Sequence, residues 1–187
     1  EWKVDSNKFL FLLPGRLTLW KGQDVFIESL NILREDYGKD EFQAIILGSD
    51  QGRNVYRKKL TSLTERYQLN KIVKFISHCK EMPTAYSLAN IVISSSVYPE
   101  AFGRVAVEAQ AMEVPIVASD IGGSRETIKK EKSGFLFKSG DPRELAKVLN
   151  DMMELDKEAL YSIGNEGRKN VIRKYDVEQM CQTTFTE

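Results

Sequence analysis

The sequence predicts an α/β fold: an open, doubly wound and mostly parallel β-sheet of about six strands, with helices on both faces and a helical C-terminal tail. Short runs rich in β-branched and aromatic residues alternate with helical patterns almost to the end of the chain. The central runs are nearly continuous in apolar residues, which is typical of strands covered by helices on both sides. This alternation indicates right-handed βαβ units.

The predicted strands and helices alternate along the chain. Strands are predicted at residues 8–14, 42–48, 71–77, 90–96, 115–120 and 134–140. Helices are predicted between them at residues 22–36, 53–69, 82–89, 103–112 and 124–130. In the first of these helices, apolar residues such as Phe26, Leu30 and Leu33 recur three or four positions apart, as they do on the buried face of a helix.

The region after the last strand is predicted to be helical. Its first helix covers residues 142–156, because Asp141 is a good N-cap and Pro142 suits the first helical turn. Two further helical stretches follow, near residues 157–174 and 177–186. We find no internal repeat and no low-complexity linker, so we expect one domain.

The composition argues against several classes of function. The 187 residues include 27 basic and 27 acidic side chains, and the resulting net charge of zero argues against a general binder of nucleic acid. A single histidine and the widely separated Cys79 and Cys181 argue against a zinc site and favour a reduced, cytosolic protein. No apolar run approaches the roughly 20 residues of a membrane span. The start, EWKVDSNK, has neither an initiator Met nor a signal-peptide core, so we expect a piece of a longer protein.

The loops that follow the strands are where chemistry is expected, because ligands of an open α/β sheet bind at the carboxyl ends of its strands. The first such loop, at residues 14–24, contains Gly15, Arg16 and Lys21 just before a helix N-terminus. A helix N-terminus favours an anion, and a guanidinium together with an ammonium suits a diphosphate. On position alone, two solvated surface cations fit this loop equally well.

Two glutamates stand eight positions apart in the stretch SSVYPEAFGRVAVEAQAM, residues 95–112. Glu100 follows a strand in a proline-led loop, Gly103 permits close approach of the backbone, and Glu108 falls inside the next helix. Eight helical residues rise about 12 Å, which is about the reach of a nucleotide-sugar from hexose to ribose. A carboxylate can accept hydrogen bonds from vicinal hydroxyls. Taken alone, the spacing also arises by chance, with both residues as ordinary acids.

Two further loops offer weaker signals. Residues 77–83 follow the third strand and can frame a nucleobase, with His78 as an ordinary loop histidine. Residues 119–127 carry a glycine pair before a short helix, which fits either contact with phosphate or sugar or a simple turn. The chain has no Walker motif, no G-x-G-x-x-G and no Asp-x-Asp, so a diphosphate would have to be met by Arg, Lys and helix dipoles.

Three segments together resemble the C-terminal, donor-binding half of retaining glycosyltransferases with the GT-B fold, in glycosyltransferase group 1 (family four). They are PGRL…KG, EAFGRVAVEAQAMEVPIVASDIGGSRETI and SGFLF…GDPRELA. Each motif alone is weak, but their order and spacing over residues 8–155 are specific. The resemblance implies a Rossmann-like donor-binding domain at residues 1–155, a helical tail of the same domain at residues 156–187, and an N-terminal acceptor domain absent from this chain.

The resemblance also implies a role for each matching residue. Arg16 and Lys21, after Gly15, match the basic pair that binds the donor diphosphate and stabilises the leaving nucleotide. Glu100 matches the glutamate that contacts hydroxyls of the transferred sugar, and Glu108 matches the one that holds the ribose. Arg16, Lys21 and Glu100 are therefore the implied catalytic residues. The other implied donor contacts are Gly15, Ser77, Ala101, Phe102, Gly103, Arg104 and Val105.

The implied activity is transfer of a sugar from a nucleoside-diphosphate sugar to a glycan or lipid-linked acceptor, with no cofactor and no metal. By the same resemblance, this fragment alone is inactive, and the acceptor binds through the missing N-terminal domain. The implied setting is cytoplasmic assembly of polysaccharide or lipopolysaccharide, with a peripheral contact of the full-length enzyme at the inner face of the membrane. Nucleic acid is not an expected partner.

Two rival functions stay open. A nucleotide-sugar epimerase of the same fold would bind a similar ligand, although the paired glutamates fit the transferases better. A non-catalytic module, either a degenerate donor domain or a flavodoxin-like regulatory domain, is the second rival. For a regulatory domain, LLPGRL places a cation where paired acids are expected. The sequence names neither the sugar, the base nor the acceptor.

One position departs from the family pattern. Glu113 stands just past a predicted helix, where the family usually has glycine. A left-handed backbone there would cost stability in a residue with a Cβ, without affecting the donor site.

Overall fold

A computed structural model describes residues 2–52 and 54–176 of the chain. Its strands are β1 (Phe9–Pro14), β2 (Phe42–Leu47), β3 (Val73–Ile76), β4 (Ile91–Ser94), β5 (Ile116–Ser119) and β6 (Phe135–Phe137). They form one sheet in the order β3-β2-β1-β4-β5-β6, and every neighbouring pair is parallel. The predicted parallel α/β sheet of six strands is therefore confirmed.

Helices cover both faces of this sheet. They are α1 (Gln23–Glu35), α2 (Asn54–Arg66), α3 (Met82–Leu88), α4 (Arg104–Ala111), α5 (Ser124–Thr127), α6 (Pro142–Met153) and α7 (Lys157–Tyr175). Helices α1, α2 and α6 share a core with Phe11 and Leu13 of β1, whereas α3 and α4 share a second core with Leu10 and Leu12. The β1 side chains alternate between the two cores, and Leu10, Phe11, Leu12 and Leu13 are all buried, which explains why the strand is apolar throughout.

The helix ends follow the capping chemistry of the sequence. The Asp141 side chain accepts hydrogen bonds of 3.1 Å from the backbone N–H groups of Arg143 and Glu144, as expected for the N-cap of α6. Helix α7 matches the prediction at residues 157–174, and the helix predicted at 177–186 lies outside the described residues. A short 3-10 turn at Leu19–Lys21, inside the loop after β1, was not predicted.

The strand order reverses between β1 and β4. The chain builds β2 and β3 on one side of β1 and then returns to place β4 on the other side. The connections after β1 and β4 therefore diverge and leave a crevice at the carboxyl ends of these two strands. No helix in the described part of the chain is both long and apolar enough to cross a membrane.

Candidate functional site

An ion pair joins the loops that follow β1 and β4. Lys21 Nζ lies 2.7 Å from Glu100 Oε1, and the two side chains are 24% and 25% exposed. Ser96 Oγ donates a second hydrogen bond to the same oxygen of Glu100. The fold thus brings together two charges that the sequence places 79 positions apart.

The surroundings hold the Glu100 carboxyl in its charged form. Burial acts to raise its pKa, but the hydrogen bonds from Lys21 and Ser96 and the charge of Arg104 lower the pKa by more, so that it lies below its ordinary value. At neutral pH Glu100 is therefore a carboxylate, which accepts hydrogen bonds and cannot donate them. A carboxylate in this state suits the binding of hydroxyl groups.

The backbone that carries Lys21 is fastened to the end of β4. Gly22 has a φ of +60°, and a Cβ at this position would lie 2.0 Å from the carbonyl oxygen of Ser95, so glycine is required. Ser95 Oγ lies 3.0 Å from the Lys21 carbonyl oxygen and 2.8 Å from that of Gly22. The Val97 N–H donates to the Trp20 carbonyl oxygen at 2.8 Å. These contacts fix the loop on which Lys21 sits.

Arg16 faces the same crevice from the start of this loop. Gly15, with a φ of +152°, leads the chain out of β1. The Arg16 carbonyl oxygen accepts a hydrogen bond of 2.9 Å from Nε2 of the buried Gln23, while its side chain is exposed. A cavity of about 250 Å³ brings Arg16, Lys21 and Glu100 together. Its lining also includes Trp20, Ser96, Tyr98, Pro99 and Ala101.

The glycine pair after β5 supports the loop that carries Glu100. The Gly123 N–H donates to the Glu100 carbonyl oxygen at 2.8 Å. A Cβ at Gly123 would come within 2.5 Å of the Phe102 carbonyl carbon, and one at Gly122 within 2.6 Å of the Glu100 carbonyl oxygen. These contacts pack the glycine turn tightly against the loop that carries Glu100.

Helix α4 begins at the same loop and carries the second glutamate. Buried Gly103 is its N-cap, with a φ of +76°, and exposed Arg104 and half-buried Val105 open its first turn. Exposed Glu108 accepts a hydrogen bond of 2.6 Å at Oε2 from the Tyr86 hydroxyl of α3. Burial and this bond to Glu108 raise the pKa of Tyr86, so the tyrosine stays a donor and orients the carboxylate.

Two of the predicted donor contacts lie apart from the ion pair. Ser77 is exposed directly after β3, and its neighbours His78 to Lys80 line a cavity of about 550 Å³ together with Trp2. Phe102 is exposed, and its ring packs edge-on against Tyr175 of α7, with the centroids 5.3 Å apart. Arg16, Lys21, Glu100 and Ala101 share one cavity, whereas Glu108 lines another.

Several side chains of the site were not singled out from the sequence. Ser96 and Tyr86 hold the two glutamates, but neither shows a periodic or motif signal that reveals its partner. Trp20 and Tyr98 lie beside the ion pair, and they had a visible signal: each is an aromatic residue in a polar loop next to a predicted site residue.

The arrangement can bind a phosphate-bearing ligand that also carries hydroxyl groups. Arg16 and Lys21 can meet negative charge, and Glu100 and Glu108 can accept from hydroxyls. Within residues 2–52 and 54–176, no group of three or more His, Cys, Asp or Glu side chains is placed to hold a metal ion.

Comparison with known proteins decides the family. The profile of a family described as glycosyl transferases group 1 matches residues 1–170. The chain belongs to this family. The resemblance carried by the ordered motifs is thereby confirmed, and this group 1 glycosyltransferase chain can be set beside its relatives.

Three relatives show how much of a known protein the group 1 chain represents. A D-inositol 3-phosphate glycosyltransferase of Corynebacterium urealyticum is 33% identical over 145 residues, which are 76% of this chain and 34% of that protein. Anabaena Alr3699/HepE in complex with UDP superimposes with a TM-score of 0.88 at 30% identity, over 97% of this chain and 50% of that one. The C-terminal domain of a group 1 family protein (LpcC) from Francisella tularensis superimposes with a TM-score of 0.80 at 26% identity, over 90% and 87% of the two chains. The chain therefore spans a third to a half of the first two proteins.

Proposed function

We propose that this chain is the donor-binding half of a retaining glycosyltransferase. In this role it holds a nucleoside-diphosphate sugar, and the sugar passes to a glycan or lipid acceptor bound by another part of a longer protein. The observation that carries the proposal is the cavity at the ends of β1 and β4 that unites Arg16, Lys21 and Glu100. Two similar structures support it. Anabaena Alr3699/HepE was solved in complex with UDP, and the LpcC structure from Francisella tularensis is that of a C-terminal domain alone.

The donor diphosphate would bind at the end of β1. Arg16 is exposed toward the cavity, and the Lys21 ammonium, now paired with Glu100, would face a phosphate as well. As the nucleotide leaves, negative charge grows on its terminal phosphate, and cations already in place stabilise this charge more than they stabilise the bound donor. Arg16 and Lys21 would therefore contribute to the rate as well as to binding.

The transferred sugar would bind at Glu100. The lowered pKa keeps the side chain ionised, and the hydrogen bonds from Lys21 and Ser96 fix the carboxylate in position. A fixed carboxylate accepts hydrogen bonds from sugar hydroxyls without first having to be ordered. The backbone from Ala101 to Gly103, which follows directly, would lie along the sugar and the phosphate.

The nucleoside would lie along α4. Glu108, oriented by Tyr86, would accept hydrogen bonds from the ribose hydroxyls, with Arg104 and Val105 one turn before it. Ser77 and the loop from His78 to Lys80 would face the base.

Catalysis without a metal is part of the proposal. Two cations and the N-terminus of α4 can supply the positive charge that a divalent metal supplies in other nucleotide sites. Retention of the anomeric configuration is also part of the proposal, and its support is the ordered set of motifs together with membership of the family.

Calorimetric titration with UDP, GDP and ADP tests the proposed function. One nucleotide should bind saturably, and added EDTA should leave its affinity unchanged. Arg16→Ala and Glu108→Ala should each weaken binding by roughly tenfold or more, because a hydrogen bond to a charged group contributes about 1.5–3 kcal/mol.

Two matched control variants carry the same kinds of substitution at positions outside the crevice. Arg66→Ala, at the C-terminal end of α2, and Glu158→Ala, in the first turn of α7, should bind the nucleotide as the unchanged chain does. If no nucleotide binds to a chain that is folded by circular dichroism, or if the controls lose affinity equally, the proposal is wrong. Product analysis of a longer active protein separates a transferase from an epimerase.

A further inference from the structure

Two aromatic rings beside the ion pair are strongly exposed. Trp20 is 65% exposed and Tyr98 is 61% exposed. Their ring centroids lie 6.5 Å apart with an interplanar angle of 61°, and both rings line the cavity that contains Lys21 and Glu100. Side chains this exposed add little to the hydrophobic core, so packing does not explain them.

Hydrogen bonds between the loops fix the two backbone segments that carry these rings. The Trp20 carbonyl oxygen accepts the hydrogen bond from Val97 N–H, and the next residues of the loop pack against Ser95 at the end of β4. Because this hydrogen bond joins the loop of Trp20 to the residue just before Tyr98, the two rings are presented on connected and fixed segments. A surface that is ordered before binding loses less entropy when a ligand arrives.

We propose that Trp20 and Tyr98 form a stacking subsite for one pyranose ring of an acceptor whose remaining contacts lie on another part of the longer protein. This proposal rests on the proposed function. The face of an aromatic ring is negative, and the C–H hydrogens on one face of a pyranose carry partial positive charge, so the two surfaces attract each other. Trp and Tyr also offer a large contact area at a small cost in side-chain entropy.

The position of the rings points to the acceptor and away from the donor nucleotide. Trp20 and Tyr98 share a cavity with Glu100, whereas Glu108 lines a separate cavity of about 300 Å³ with Pro83 and Met112. A donor with its ribose at Glu108 and its sugar at Glu100 would span the two cavities. The rings then lie at the sugar end, where the group that receives the sugar must approach.

The polar groups around the rings favour a sugar over an alkyl chain. Ser96, Glu100 and Arg16 line the same cavity, and the hydroxyl of Tyr98 adds a donor and acceptor. An alkyl chain laid here would cover the Arg16 guanidinium and the Tyr98 hydroxyl without offering them a hydrogen bond, which is costly. A pyranose can satisfy them with its hydroxyls while its apolar face stacks on a ring.

Nuclear magnetic resonance can test the subsite directly, because the chain has only two tryptophans, Trp2 and Trp20. The probes are methyl α-D-glucopyranoside, methyl α-D-mannopyranoside and methyl N-acetyl-β-D-glucosaminide, each titrated with and without the nucleotide that binds in the calorimetric titration. The indole N–H signal of Trp20 should shift saturably with one of these sugars, while that of Trp2 stays in place.

Substitutions supply the control for this titration. Tyr98→Ala should weaken the sugar affinity by roughly tenfold, and Trp20→Ala should do the same when followed at the Val97 amide, with the nucleotide affinity kept in both. Tyr161→Ala on α7 removes a tyrosine that is equally exposed, at 61%, and should change neither affinity.

The outcomes separate the subsite from the donor site. A Trp20 signal that no sugar shifts, with or without nucleotide, overturns the subsite, and the donor role then stands or falls on the calorimetric titration with UDP, GDP and ADP. A sugar-dependent shift in a chain that binds none of UDP, GDP and ADP upholds the subsite and counts against the donor role. A Trp20 signal that responds only to dilution of the protein indicates contact between two copies and overturns the subsite.

Discussion

Opposing influences act on Glu100. Burial favours its protonated form, while the hydrogen bonds from Lys21 and Ser96 favour the carboxylate and outweigh burial, so the pKa of Glu100 is lowered. A pKa that is lower in the folded than in the unfolded chain makes the ionised group stabilising above the unfolded pKa of about 4.3. This contribution is lost as the pH falls through the lower, folded pKa.

Removal of the Lys21 charge should therefore raise the pKa of Glu100. Lys21→Met keeps a side chain of similar length but removes its charge. The effect of burial on Glu100 is then opposed only by Ser96 and Arg104, so the pKa of Glu100 should be higher than in the unchanged chain. A pH titration of the Glu100 carboxyl carbon by nuclear magnetic resonance measures this. Lys59→Met, which instead breaks the ion pair of 2.8 Å with Asp24, should leave the Glu100 pKa in place. An unchanged pKa in Lys21→Met would show that Lys21 does not control the carboxylate.

The sequence was informative about residue types and less so about partners. Arg16, Lys21 and Glu100 could be predicted to meet, because each follows a strand and parallel strands deliver their carboxyl ends to one edge. The contact between Tyr86 and Glu108 could not, because it joins two helices whose relative rotation depends on the packing of the whole second core.

The C-terminal end of α4 contains a residue in an unfavourable conformation. Glu113, just past the helix, has a φ of +59°, which is the left-handed conformation. The N–H of Val114 donates to Ala109 and that of Glu113 to Gln110, which together form a Schellman motif. A left-handed conformation costs a residue with a Cβ about 1–2 kcal/mol.

Glu113→Gly should raise the free energy of unfolding by about 0.5 kcal/mol. Relief of the left-handed strain outweighs the extra entropy of glycine in the unfolded chain and the loss of an exposed ion pair with Arg168. Urea unfolding measures the change. Glu113→Ala is the control, since it loses the ion pair and keeps the strain, and it should be less stable than the glycine variant. Equal stabilities would contradict the role of the backbone.

Among the elements, the strands were easier to predict than the ends of the helices. Strands buried on both faces leave an unbroken apolar run, whereas the last turn of a helix is decided by capping and packing. The predicted helix at residues 53–69 ends at Arg66 in the structure, and residue 53 lies outside the described part. The 3-10 turn that carries Trp20 and Lys21 has no periodic signal at all, because three residues are too few to show one.

At the scale of the whole molecule, α7 is tied to the sheet domain by buried polar groups. Asn170, which is 2% exposed, donates through Nδ2 to Gln110 Oε1 at 3.1 Å and to the Thr127 carbonyl oxygen at 2.9 Å. Gln110 Nε2 donates to the same carbonyl at 2.9 Å. Gly164 approaches so closely that a Cβ there would lie 1.9 Å from the Glu113 carbonyl oxygen. Helices α4, α5 and α7 are thus joined in one polar network.

Asn170→Ala should lower the free energy of unfolding by about 1–3 kcal/mol, because it leaves Gln110 Oε1 buried without its donor. Chemical denaturation followed by circular dichroism measures the loss. Asn165→Ala, the same substitution at a less buried position of α7, should cost much less. A similar loss for both variants would mean that the network adds nothing beyond the helix itself.

The ion pair between Lys21 and Glu100 also bears on the release of product. In the structure each of these two charges already has a partner. Under the proposed function, an intact donor replaces both halves of this pair, with phosphate for Lys21 and hydroxyls for Glu100. A spent nucleotide offers phosphate alone, so it competes for the lysine and leaves a carboxylate facing a phosphate without compensation. Re-formation of the pair would then help to expel the spent nucleotide, so the same contact would favour a loaded donor over the product that remains.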